Sequence, residues 1–331
     1  MPPCNHSCLA RRSTIGRMVA VLYLTSLTGW SLFPSQAACD PCTAFGSGIS
    51  WGTVTINQLR EASAICASGR DHQILWIHND GDGQNLFALS TNGAHLATFD
   101  LNQIASDVEA MASGPGPEPG INYLYVGDVG GSGNPGDTRA SFVILRLPEP
   151  FVDPAWATNP RSLTADGVER FTLSYPAGQF DAETLMVDPL TGDVFVVTKQ
   201  PGSARWYRVN LNGLTNGAAS TMEFVSAVAF GVASDGGISA DGSQIVLRRE
   251  DFAMLWKRCE AESIASALAR SGFSIPVIGP PTEPNGEGIA LRADGSGYLT
   301  ISEGNDPKLY FFPSQCPTPP SFTLLPLDQS A

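Results

Sequence analysis

The sequence predicts an all-β chain: a β-propeller of five four-stranded antiparallel blades around a central channel, with six as the alternative count. Three observations predict it: a turn-rich composition, a repeat of about fifty residues, and an acid that recurs where each repeat begins. In 331 residues, 34 Gly and 25 Pro stand against 43% apolar residues, a balance that supplies a large core while interrupting helices.

The repeat is carried by short apolar strands opened by an acid: Glu61-Ala-Ser-Ala-Ile, Glu109-Ala-Met-Ala, Glu183-Thr-Leu-Met-Val and Glu287-Gly-Ile-Ala-Leu. Gly236-Gly-Ile-Ser is a copy that has lost the Glu. The spacings are 48, 74, 53 and 51 residues, so the second interval needs an insertion, which the Pro-rich stretch 148–160 supplies. Such units bury their faces only against one another. Within each unit the runs are rich in β-branched and aromatic residues and bounded by Gly, Pro, Asn or Asp, which reads as strands. The first unit has runs at 64–67, 74–78, 85–89 and 95–101, and the second at 109–112, 123–127, 142–147 and 170–175. The third has 184–187, 194–198, 206–211 and 222–230, and the fourth 237–240, 244–248, 253–257 and 273–278. The fifth has only 288–292, 297–302 and 309–312, so its outer strand must come from 54–56 or 322–325 and close the ring. Asp241-Gly242 and Asp294-Gly295 supply the positive φ of tight hairpins. Residues 258–270 read as a helix inserted in the fourth blade. A sandwich would give no reason for the recurring acid.

Arg11, Arg12 and Arg17 precede the apolar run 18–33, and Ser35, Ala37 and Ala38 follow it, the order of an export signal. Residues 1–37 therefore read as a signal peptide, 38–53 as a Cys-containing segment, 54–313 as the propeller and 314–331 as a Pro-rich tail. The mature chain is expected in the periplasm or outside the cell. A lipid anchor on Cys39 is the weaker alternative, because Gln36 stands where that signal needs an apolar residue. An oxidising compartment predicts disulfides among Cys39, Cys42, Cys66, Cys259 and Cys316. No stretch after the signal is long and apolar enough to span a bilayer. A formal charge of −13 repels a phosphate backbone and argues against nucleic acid as a partner. A monomer is expected.

In a propeller the innermost strands line the axis, and antiparallel pairing sets the start of each beside the end of the second strand. The candidate metal ligands at that mouth are Glu61, Asp80, Glu109, Asp128, Glu183, Glu287 and Glu303, with Asp107 and Asp181 beside them. Crowded carboxylates raise one another's pKa unless a cation intervenes. Hard oxygen donors and few His favour Ca²⁺ over zinc. Lys199, Arg249 and His78 are the candidate catalytic groups. Lys199 and one of the Arg248-Arg249 pair would hold a small anionic or ester ligand against the metal. Strand alternation turns only one of the two Arg inward, and Arg249 is taken as that one. The plainer reading is that each acid caps its blade by accepting backbone N–H bonds. The chain contains no P-loop, HExxH or GxSxG pattern.

The strings Leu75-Trp-Ile-His-Asn-Asp80, Tyr125-Val-Gly-Asp128, Asp181-Ala-Glu183, Asp193-Val-Phe-Val-Val-Thr-Lys199 and Gly297-Tyr-Leu-Thr-Ile-Ser-Glu303-Gly resemble a family of exported bacterial proteins. That group is similar to propeller domains described as phytase-like, or as having esterase-like activity of phytase. The resemblance covers most of residues 55–313. It implies a calcium-dependent hydrolase of phosphoesters or related esters acting at the acid-lined mouth. The alternative is a non-catalytic propeller that binds a ligand or protein there, with calcium only structural. Two departures stand out: the fourth blade carries Asp235-Gly-Gly-Ile-Ser where the family keeps an acid directly before the apolar residue, and no complete phytase active-site pattern is present.

Overall fold

Each apolar run becomes a strand, and the strands pair with their sequence neighbours because the connecting turns are too short to reach elsewhere. A computed structural model describes residues 43–316 except 82, 104 and 132–136. The signal segment, Cys39, Cys42 and the candidate strand 322–325 lie outside the described residues. Strand β1 (Ile49–Thr53) precedes the first blade, which consists of β2 (Ala62–Ala67), β3 (Ile74–Asn79), β4 (Asn85–Ser90) and β5 (His95–Asp100). The second blade contains β6 (Ala110–Pro115), β7 (Asn122–Asp128) and β8 (Ser141–Pro148), then, after the insertion and its strand β9 (Arg161–Thr164), β10 (Glu169–Ser174). The third has β11 (Ala182–Val187), β12 (Asp193–Thr198), β13 (Ala204–Asn210) and, after the short β14 (Ala219–Thr221) of the second blade's sheet, β15 (Glu223–Val228). The fourth has β16 (Asp235–Ile238), β17 (Gln244–Arg249), β18 (Phe252–Lys257) and β19 (Phe273–Ile275), and the fifth β20 (Gly286–Leu291), β21 (Gly297–Ser302) and β22 (Lys308–Pro313).

The five sheets form a five-bladed propeller, with β2, β6, β11, β16 and β20 at the inner edges and each touching the next around the axis. The ring closes through β1, which pairs antiparallel with β22. The closing strand thus comes from the N-terminal side, a few residues before the expected 54–56. Two strands were not foreseen. The insertion sends β9 back to pair parallel with β5, and β14 pairs parallel with β10, so the first two blades have five strands each. The expected helix shrinks to α1 (Ile264–Leu268), capped where the Ser263 hydroxyl accepts from the amide of Ser266.

The core lies between blades. In β12, Val194 and Val196 pack against the second blade while Phe195 and Val197 pack against the fourth, the period-two alternation of a strand buried on both faces. Trp76, Trp206 and Trp256 are buried in these layers, and Trp51 stacks on Phe311. These four Trp are packing residues.

Candidate cation site at the channel mouth

Strand starts and second-strand ends meet at one mouth, and the backbone shows which positions are equivalent. The amides of Asp80, Lys199 and Glu303 donate to the carbonyls of Glu61, Asp181 and Asn285. Glu61 is therefore the counterpart of Asp181, two positions away from the alignment that the repeat suggested. Pairing slips between Ala182 and Thr184 and between Gly286 and Gly288, leaving Glu183 and Glu287 as the extra residues of β-bulges. A bulge re-aims its side chain, here toward the axis. In the first blade the same slip falls at Ser63, whose hydroxyl donates to the Glu109 carbonyl (3.0 Å) and Oε2 (3.2 Å).

Carboxylate oxygens of Asp80, Asp107 and Glu109 lie within 4.8 Å of one another. Burial, then the charges of Glu183 and Asp80, push the Glu109 carboxyl up to about 10. Burial and Asp80 raise Asp107 to about 6. Burial also raises Glu183, against the opposing pull of Lys199, and raises Glu287 and Glu303. Lys199 is ion-paired with Glu183. Burial works against its ammonium, but Glu183 and Glu287 outweigh that and hold its pKa above the ordinary value. The mouth thus divides into one arc where Lys199 serves Glu183 and Glu287, and another where three acids crowd together.

Several predicted residues are placed elsewhere. Asp128 is buried and accepts from Arg139 (2.7 Å), the Ser106 hydroxyl and the Asp107 amide, so it caps a loop and does not join the trio. Glu61 is exposed at the rim. Arg249 turns outward, pairs with Asp251 at 3.0 Å and lies over the Phe252 ring. The inward residue of that pair is Arg248, fully buried, which donates to Glu283 (2.5 Å) and to the carbonyls of Gly288 and Ile301. The correction follows from register: Arg248 lies opposite Asp235, which opens the inner strand. His78 is fully buried; its Nδ1 donates to the Asn79 carbonyl at 2.8 Å, and burial lowers its pKa. It is a neutral histidine of the packed interior, remote from solvent.

The fourth blade departs most. Ser234 takes the place of Glu183 and Glu287, and Asp235, fully buried, accepts at Oδ2 from the amides of Ile289 (2.8 Å) and Ile65 (3.3 Å) on the inner strands of two other blades. Sequence reading missed two participants besides Arg248: Ser63, because a serine breaks the acidic pattern, and Arg139, because it stands in a loop beyond the repeat.

No family model matches the chain, and no curated protein matches it. Among solved structures, the Myceliophteria thermophila Cps50 (Swd1) beta-propeller domain is similar at 10% identity and a TM-score of 0.42, covering 80% of this chain and 99% of that one. The fold rests on the five sheets themselves. Among the described residues, no helix is long and apolar enough to cross a membrane.

Proposed function

We propose that this propeller binds a divalent cation through Asp80, Asp107 and Glu109, and that the loaded mouth takes an anionic ligand beside Lys199. The supporting observation is the trio itself, three carboxylates within 4.8 Å whose neighbouring cations are engaged elsewhere: Arg139 with Asp128 and Lys199 with Glu183. Oxygen donors without a thiol or imidazole suit Ca²⁺. In this reading Ser63 orients Glu109, and Glu183 positions Lys199. A cation there would supply charge to polarise a phosphoryl or carboxyl oxygen.

Hydrolysis of a phosphoester or related ester is the second reading. It is favoured by Lys199, which lies within electrostatic reach of Glu109 and could neutralise charge developing on such an oxygen. Export, and the disulfides an oxidising compartment would favour, belong to the same proposal. The test is calorimetric titration of calcium chloride into the wild type and Asp107→Asn, with an ester screen run with and without chelator. Saturable binding lost in the variant supports the cation site. Absent binding, or binding indifferent to Asp107→Asn, overturns it, and a chelator-sensitive esterase would select the second reading.

A further inference from the structure

All three acids of the trio lie outside the strands: Asp80 follows β3, and Asp107 and Glu109 precede β6. What aims them is the bonding of the segment 106–109, whose backbone amides are all taken. Ser106 and Asp107 donate to the Asp128 carboxylate (3.2 and 3.1 Å), Val108 to the Gly81 carbonyl (2.8 Å) and Glu109 to the Gly127 carbonyl (3.1 Å). The Val108 bond ties this segment to the turn that carries Asp80. The Asp107 carbonyl accepts in turn from the Gly130 amide (3.3 Å) and from Arg139 Nη2 (3.3 Å). Arg139 is itself fixed by Asp128 Oδ1 (2.7 Å), by the Gly130 carbonyl at its Nε (2.6 Å) and by the Ser106 hydroxyl at its Nη1 (3.1 Å). The peptide groups on both sides of Asp107 are thus held by one ion pair, whose side chains are 18% and 6% exposed for Arg139 and Asp128.

Gly130 completes the frame by close approach. A Cβ there would lie 2.5 Å from Asp107 Oδ2 and 2.6 Å from Glu109 Cγ, so any other residue must push the two carboxylates from their places. The charge of Arg139 works against a cation beside it, and a lysine ammonium would oppose the ion to a similar degree. Only the planar guanidinium fork can serve Asp128, Gly130, Ser106 and Asp107 together. Position, not charge, accounts for an arginine in this place.

We propose that Asp128, Arg139 and Gly130 are the positioning residues of the cation site: the ion pair fixes the backbone of Asp107, and the bare Cα of Gly130 leaves the Asp107 and Glu109 carboxylates room to converge. The inference rests on the cation reading and goes beyond it, in assigning affinity to residues outside the ligand set. Residues that stand behind metal ligands and orient them contribute about 10–100-fold to metal affinity. The test is calorimetric titration of calcium chloride, with thermal melts of the same samples. Arg139→Lys keeps the charge and loses the fork, and Gly130→Ala adds one methyl against the carboxylates; each should weaken calcium binding at least about tenfold. Arg249→Ala, which removes an arginine paired outward with Asp251, should leave the affinity unchanged. Should Gly130→Ala fail to fold, Arg139→Lys carries the comparison. A role confined to stability would lower the melting temperature of Arg139→Lys and leave its calcium affinity at the wild-type value. That result overturns the inference alone, provided that Asp107→Asn still abolishes binding. Absence of saturable binding by the wild type overturns the cation reading and this inference together.

Discussion

Loading the acidic trio with Ca²⁺ should expel about one proton at pH 7. Ligand carboxylates must be ionised, so a site that holds protons releases them on binding. Glu109, pushed up to about 10 by burial and by Glu183 and Asp80, is protonated in the metal-free protein at that pH. Asp107, at about 6, is already ionised in roughly nine molecules of ten and adds about a tenth of a proton. Deprotonating Glu109 three pH units below its pKa costs on the order of 4 kcal/mol at 1.36 kcal/mol per unit, which the ion must overcome. Apparent calcium affinity should therefore rise about tenfold per pH unit between roughly 6 and 10, and more steeply below 6 where Asp107 also holds a proton. Calorimetry at pH 7 in buffers of different ionisation enthalpy reads the proton count as the slope of observed enthalpy. A slope near zero, or an affinity flat from pH 6 to 9, would refute the site as described.

The same groups set the pH dependence of stability. Asp107, Glu109, Glu183, Glu287 and Glu303 are all raised by burial in the folded chain, so the folded state holds these protons more tightly. Their contribution is present below the ordinary carboxylate range and fades as pH rises, through about 6 for Asp107 and toward about 10 for Glu109. The metal-free melting temperature should fall between pH 5 and 9 in scanning calorimetry, and a rising profile would contradict the raised carboxyls. Lys199→Met strands Glu183; a broken buried pair costs about 3–5 kcal/mol, and because the Lys199 side chain is 32% exposed we expect about 2 kcal/mol, mostly recovered in Lys199→Met/Glu183→Gln. Equal urea midpoints for Lys199→Met and wild type would show that the pair contributes nothing. Arg248→Met should cost about 3–5 kcal/mol by leaving Glu283 unpaired, whereas Arg249→Ala should stay within about 0.5 kcal/mol, and the reverse order in urea unfolding would restore Arg249 as the inward residue.

The blades were legible because alternation and turn chemistry are local. Runs such as 194–198 and 297–302 carry their strand identity in β-branched and aromatic residues bounded by Gly or Asp, and β12 and β21 appear there. Strands β9 and β14 were not legible. Arg161–Thr164 is exposed throughout and gains its conformation only from the neighbouring edge of β5, a parallel partner far along the chain. At the site, convergence of the acids follows from radial geometry, but local aim does not. A one-residue bulge turns Glu183 and Glu287 to the axis, and nothing in the string Asp181-Ala-Glu183 distinguishes a bulge from regular pairing. The same limit misdirected the choice between Arg248 and Arg249.

The asymmetry of the channel traces to one segment, Ser234-Asp235-Gly236. Ser234 stands in the fourth blade where Glu183 and Glu287 stand in theirs, its hydroxyl donating to the Glu287 carbonyl (3.1 Å), so no further acid comes between Glu183 and Glu287 and Lys199 can serve both. The displaced acid, Asp235, instead takes two amides of the inner strands, and the buried Arg248 beside it lowers the cost of that carboxyl. Gly236 stands level with Ile65, Met111, Leu185 and Ile289 of the other inner strands, and glycine is required there because a Cβ would strike Met186 and the Val246 carbonyl, so the side chain of the third blade fills the place that the fourth leaves empty.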